Sequence, residues 1–135
     1  MRDQDIAPDD LVFRRIRPQH LVKDPKAPGG IRASAAAFTD ETDGSSMSGY
    51  LNSLVLDLGR TAQDVVHGKS ANWGVAAIPV EALIAEEQVV ALDPITNPQV
   101  PHPCDLAHVE VHGVKEPKGR RDRISRASPL VYIIP

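Results

Sequence analysis

Prolines partition this chain before any other signal does. The run 93–105, DPITNPQVPHPCD, carries Pro94, Pro98, Pro101 and Pro103. Each proline fixes φ at about −65° and removes a backbone donor, so this run joins elements and is not one itself. KDPKAPGG, 23–30, is a second Pro/Gly loop, and Pro18 ends the segment before it. Pro79 falls where a first helical turn tolerates it, and Pro135 closes the last apolar run. The fold is therefore assembled from short pieces between these breaks.

LVFRRIR, 11–17, alternates as a strand, with Leu11, Phe13 and Arg15 on one side and Val12, Arg14 and Ile16 on the other. IRASAAAF, 31–38, reads as a second strand built of small residues, a composition that demands close approach by another element or a ligand. TDETDGSS is a turn-rich acidic loop. SMSGYLNSLVLDLG, 46–59, reads as a helix, because Leu51, Leu54, Val55 and Leu58 make one apolar stripe and Gly59 can end it. TAQDVVHG is a short helix with Thr61 as N-cap and an acid three residues on. NWGVAAI is a buried strand, and PVEALIAEEQ is a helix with Val80, Leu83 and Ile84 facing inward. VVAL, LAHVEVHG and LVYII are strands, and RRDRISRAS is a short basic helix. The expectation is an α+β domain: a single mixed or mostly antiparallel sheet packed on one face by two to four helices. Residues 1–10 are expected as a flexible arm and 11–135 as one domain, long enough to bury roughly two-thirds of its unfolded surface.

No apolar run reaches the roughly 20 residues of a membrane span, and the acidic, polar start lacks the apolar core of a signal peptide. The single cysteine, Cys104, excludes an internal disulfide framework and fits a reducing, cytoplasmic compartment. Net charge is −3, but it is segregated. Residues 14–32 carry Arg14, Arg15, Arg17, Lys23, Lys26 and Arg32 against Asp24. Residues 115–126 carry Lys115, Lys118, Arg120, Arg121, Arg123 and Arg126 against Glu116 and Asp122, and the acidic middle holds only Arg60 and Lys69. If the two basic blocks meet, they make a patch for phosphate or an acidic partner; apart, they are two solvated faces.

Several constellations carry chemistry. In CDLAHVEVHGVK a strand places His108, Glu110 and His112 on one face, with His102 and Cys104 upstream. Same-face neighbours about 7 Å apart converge poorly on one ion, so no metal and no cofactor is assigned. His20 and His108, each beside a basic block, supply the two titrating groups of metal-free phosphodiester chemistry, with Ser34 as a third catalytic candidate. Arg15, Arg32, Lys115, Arg120 and Arg123 are the candidate anion contacts. Gly29 and Gly30 lack the further Gly and Lys spacing of a nucleotide-binding loop. An Arg, a Ser and a Glu on successive strands, here Arg15, Ser34 and Glu110, also follow the residue order of NAD-dependent ADP-ribosyltransferases. Aromatic residues are too few for a stacking platform along a nucleic-acid strand.

RRIRPQHLVKD, GGIRASAAAFTDETDGSSMS, DPITNP and AHVEVHGVKEPKGRRDRISRAS together resemble a group of small uncharacterised bacterial proteins, over residues 12–127. The matching positions are His20, Arg32, Ser34, Phe38, Ser48, Asp93, Pro94 and His108. Ala33 and Ala35 depart from the pattern, as does HGVKEPK where the group has adjacent lysines. The resemblance points to residues and implies no activity. Two functions remain open. One is a partner-binding module or accessory component of a multi-protein bacterial system, acting with a protein partner or as a homo-oligomer. The other is a small metal-independent enzyme or binder of a phosphate-bearing substrate such as RNA or a nucleotide.

Overall fold

A computed structural model describes residues 1–41 and 46–133. Its centre is a six-stranded antiparallel sheet built from β1 (Leu11–Ile16), β4 (Ser46–Leu51), β5 (Gly74–Pro79), β6 (Val89–Leu92), β7 (His108–His112) and β8 (Leu130–Tyr132). The order across the sheet is β6-β7-β4-β1-β5-β8. A separate hairpin pairs β2 (Leu21–Lys23) with β3 (Ile31–Ala33). Among the described residues three α-helices complete the α+β domain: α1 (Asn52–Asp57), α2 (Val80–Ala85) and α3 (Lys118–Arg126). No helix among the described residues is long and apolar enough to cross a membrane.

Alternation sorts the sheet into two buried faces. Val12, Ile16, Met47, Leu51, Ile78, Val109 and Val111 form the larger core with Leu83 of α2, Ile124 of α3 and Phe38. Phe13, Tyr50, Val75 and Ala77 form the smaller one with Val55 of α1, Val65, Cys104 and Ala107. Helices therefore cover both faces and not one, because β5 is buried on both sides and its apolar residues demand cover on each.

Two elements differ from the sequence reading. Residues 46–51 are a strand, not the start of a helix: Met47 and Leu51 enter one core and Tyr50 the other, while Asn52–Asp57 alone are helical. The small-residue run is a strand only to Ala33, and Ala35–Ala37 form a 3-10 turn against α3. The close approach that the alanines demanded is this turn-on-helix contact, tied by the Ser125 hydroxyl donating to the Ala33 carbonyl. In α2, Val80 and Leu83 are buried, but Ile84 is exposed. The acidic loop of 39–46 falls partly outside the described residues, as does Pro135. Residues 1–10 touch the domain at several points. Asp3 accepts from the Leu92 amide on the sheet edge, and Val80 and Glu81 donate to the carbonyls of Asp10 and Pro8.

Candidate functional site

Strands β1 and β4 pair only at Val12↔Leu51 and Phe13↔Tyr50. Beyond Phe13 they part, and a cleft of about 300 Å³ opens between them. Arg14 fills the place of the missing ladder. Its guanidinium donates to the carbonyls of Ala37 (3.2 Å), Thr39 (3.3 Å) and Ser48 (2.7 Å), and pairs with Glu41 at 2.9 Å. Burial works against the Glu41 charge. The Arg14 contact, with the Ser48 hydroxyl at 3.0 Å, outweighs it and holds the carboxyl below its ordinary range. Arg14 is thus a structural cation.

Arg15 and Arg17 border the same cleft in a different way. Neither has a carboxylate within ion-pair distance among the described residues. The Arg15 guanidinium lies 5.7 Å from the centre of the Tyr50 ring and 5.9 Å from that of Trp73, and Arg17 lies 5.2 Å from Trp73. Cation–π contact orients such a group without neutralising it. His20 lines the cleft as well. It ends a 3-10 turn opened by Pro18, and its carbonyl accepts from the Ser34 amide at 2.7 Å.

Under the cleft, Tyr50 is packed on three sides. His102 stacks on it at 5.1 Å, His108 meets it edge-on at 5.5 Å, and Arg15 covers a third approach. Burial pushes the Tyr50 hydroxyl up. The Cys104 amide donates to His102 Nδ1 at 3.0 Å, so Nε2 carries the proton and donates to the Val65 carbonyl at 2.9 Å. His102 is therefore a neutral ring of defined tautomer, and burial depresses its pKa. Cys104 is fully buried beside it, its thiol pushed up to about 11 by the same burial, which makes it a poor nucleophile or ligand.

The sequence candidates separate into groups. His20 lines the cleft and its carbonyl holds the Ser34 amide, but Ser34 itself does not line it, and neither does His108, which lies beyond Tyr50. Arg15 and Glu110 sit on one face of the sheet, on β1 and β7, with β4 between them; Ser34 lies outside the sheet. Of the anion candidates, Arg15 alone borders this cleft. Arg32 pairs with Asp24 at 3.0 Å and reaches the Ser125 hydroxyl at 3.2 Å, so the two basic blocks do touch. Lys115 is buried, holding Asp40 at 2.7 Å and the carbonyls of Val111 and Gly113. Arg120 and Arg123 lie against Glu86 and Glu87 of the acidic middle. Trp73 is not among the sequence candidates, and Arg17 figures there only within the first basic block; the cues were a lone tryptophan before a buried strand and an arginine next to Pro18.

A second cluster lies on the far side of Tyr50. His108 Nδ1 is 3.0 Å from the Asp93 carbonyl and 3.1 Å from the Asp93 carboxylate, and Nε2 is 3.9 Å from Glu110 Oε1. His112 is exposed at the strand end. The loop residue Asp93 therefore supplies what the strand by itself lacked, a donor beside His108. No protein-family model, curated protein or solved structure matches the chain.

Proposed function

We propose that the cleft between β1 and β4 binds a phosphate-bearing ligand with a flat ring, a mononucleotide being the simplest of that class. The observation that carries this reading is the pair Arg15 and Arg17, two guanidinium groups without carboxylate partners among the described residues, held over Tyr50 and Trp73. Arginine recognises phosphate through planar, paired donors, and an indole face accepts a base by stacking. The cleft volume suits one small ligand and not a nucleic-acid strand. With His20 at the cleft and His108 outside it, the arrangement favours binding over a two-histidine acid–base reaction.

Trp73 is the only tryptophan, so its fluorescence reports the site directly. Titration with AMP or ADP is expected to quench it with saturation. Arg15→Ala and Arg17→Ala should each weaken binding roughly 10- to 100-fold, the loss of one charge-assisted contact of about 1.5–3 kcal/mol. Unchanged fluorescence at millimolar nucleotide, or binding in both variants as tight as in the parent protein, sinks the reading.

A second reading, a partner-binding module, is supported by Leu56 of α1 and Leu106, both more than half exposed on neighbouring elements. Native mass spectrometry separates the two: a bare chain that gains one nucleotide mass favours the cleft. A defined complex with a second polypeptide, broken by Leu56→Asp, favours the module.

A further inference from the structure

The cluster beyond Tyr50 has a feature that simple surface acids lack. His108 is more than nine-tenths buried. A carbonyl only accepts, so the contact with Asp93 O places a proton on Nδ1, and in the neutral ring the lone pair is then on Nε2. That Nε2 has no hydrogen-bond partner among the described residues and faces Glu110 Oε1. Donor atoms of Asp93, His108 and Glu110 all lie within 4.8 Å of one another, with the Asp93 carboxylate 3.1 Å from Nδ1 and the Glu110 carboxylate 3.9 Å from Nε2.

Each donor is also held in place. The Asp93 amide donates to the His108 carbonyl at 3.0 Å while its own carbonyl accepts from the ring. The Ser46 hydroxyl donates to Glu110 Oε2 at 3.1 Å, which leaves Oε1 to the cluster. A ring proton given to a backbone carbonyl and a carboxylate held by a hydroxyl are the supports that orient metal ligands. Neither carboxylate has a lysine or arginine within ion-pair distance among the described residues, so no such side chain there balances their negative charge.

We infer that Asp93, His108 and Glu110 form a binding site for one divalent transition-metal cation, zinc by preference. One imidazole and two carboxylates suit a borderline ion better than calcium, which takes oxygen ligands alone. Three protein ligands leave a position for water. The site is separate from the nucleotide cleft, since none of the three residues lines it, and its failure leaves that reading untouched.

The test is calorimetric titration of ZnCl₂ into chelator-treated protein at pH 7.5, with CoCl₂ as a spectroscopic probe. One zinc per chain is expected. Asp93→Asn, at a half-exposed side chain with little structural role, and Glu110→Gln should each weaken it more than 10-fold. Ser46→Ala should cost about 10-fold, as loss of a supporting contact does. Glu81→Gln, an exposed acid on α2, should change nothing. Cobalt is expected to show ligand-field bands without a thiolate charge-transfer band, which excludes Cys104. The proposal is overturned by absence of stoichiometric binding, by binding that survives both carboxamide variants, or by a thiolate band.

Discussion

Tyr50 is the residue at which the two candidate regions meet, and its neighbours show how burial assigns a role to each histidine. His102 is locked as a neutral ring between the Cys104 amide and the Val65 carbonyl, whereas His108 keeps an open nitrogen. Nothing in HPCDLAHVEVH distinguishes the two, because a tautomer is set by whichever donor or acceptor the fold places opposite each nitrogen. The His102 environment has a consequence for stability. Its folded pKa lies below the unfolded value, mainly through burial, so the unfolded chain binds the proton more readily. Stability is full above about pH 6.5 and is lost as pH falls from there through the folded pKa. Thermal unfolding followed from pH 7.5 to 5 should show a falling Tm, and His102→Asn should flatten that slope relative to its own value at pH 7.5. An equal slope in the variant assigns the effect elsewhere. The Glu41 carboxyl, also depressed, contributes its loss in a lower window, below about pH 4.5.

At the scale of the element, β4 teaches most. Its residues carry two periods at once. Leu51, Leu54, Val55 and Leu58 suit a helix, while Met47, Gly49 and Leu51 against Ser48 and Tyr50 suit a strand. The strand prevails up to Leu51 because β1 and β7 both pair with it, a contribution no local window contains. Gly49 is the residue that permits this insertion. A Cβ there would stand 2.5 Å from Val12 Cγ1 and 3.1 Å from the Phe13 carbonyl oxygen. Gly49→Ala is therefore expected to destabilise by about 1–3 kcal/mol through overpacking, read as a lower urea midpoint at unchanged m. A neutral or stabilised variant would show that β1 and β4 are free to separate further at the mouth of the cleft. Elements with one period and clear ends, β1, β5, β6 and β7, were legible throughout, as was the proline-rich connection before β7.

At the scale of the whole molecule, the segregated charges close on one another. The basic helix α3 docks on Glu86 and Glu87, at the end of α2 and just beyond it, and Arg32 of the first block contacts Ser125 of the second. Most of the basic residues singled out from the sequence are thus matched by acids of the same chain. Lys115 is the extreme case: 2% exposed, its ammonium reaches Asp40 and two carbonyls and ties the end of β7 to the segment beside the cleft. Lys115→Met should cost about 2–4 kcal/mol, because it leaves a carboxylate and two carbonyls without their donor. Adding Asp40→Asn should recover part of the loss, a coupling measurable by a double-mutant cycle. Strictly additive losses would mean that the ion pair contributes nothing beyond the carbonyl contacts.

The sequence by itself determined the class of the fold, the positions of most elements and the loops between them, because alternation, caps and prolines act over a few residues. It also marked Arg15, His20 and His108 as residues with chemistry to offer. Strand order, the parting of β1 from β4, and the meeting of Asp93 with His108 were decided only by the tertiary structure. So was the distinction, among the described residues, between an arginine with a carboxylate partner and one without. Whether a charge is spent on the fold or left for a ligand depends on which distant residue faces it, and that is a property of the packed chain.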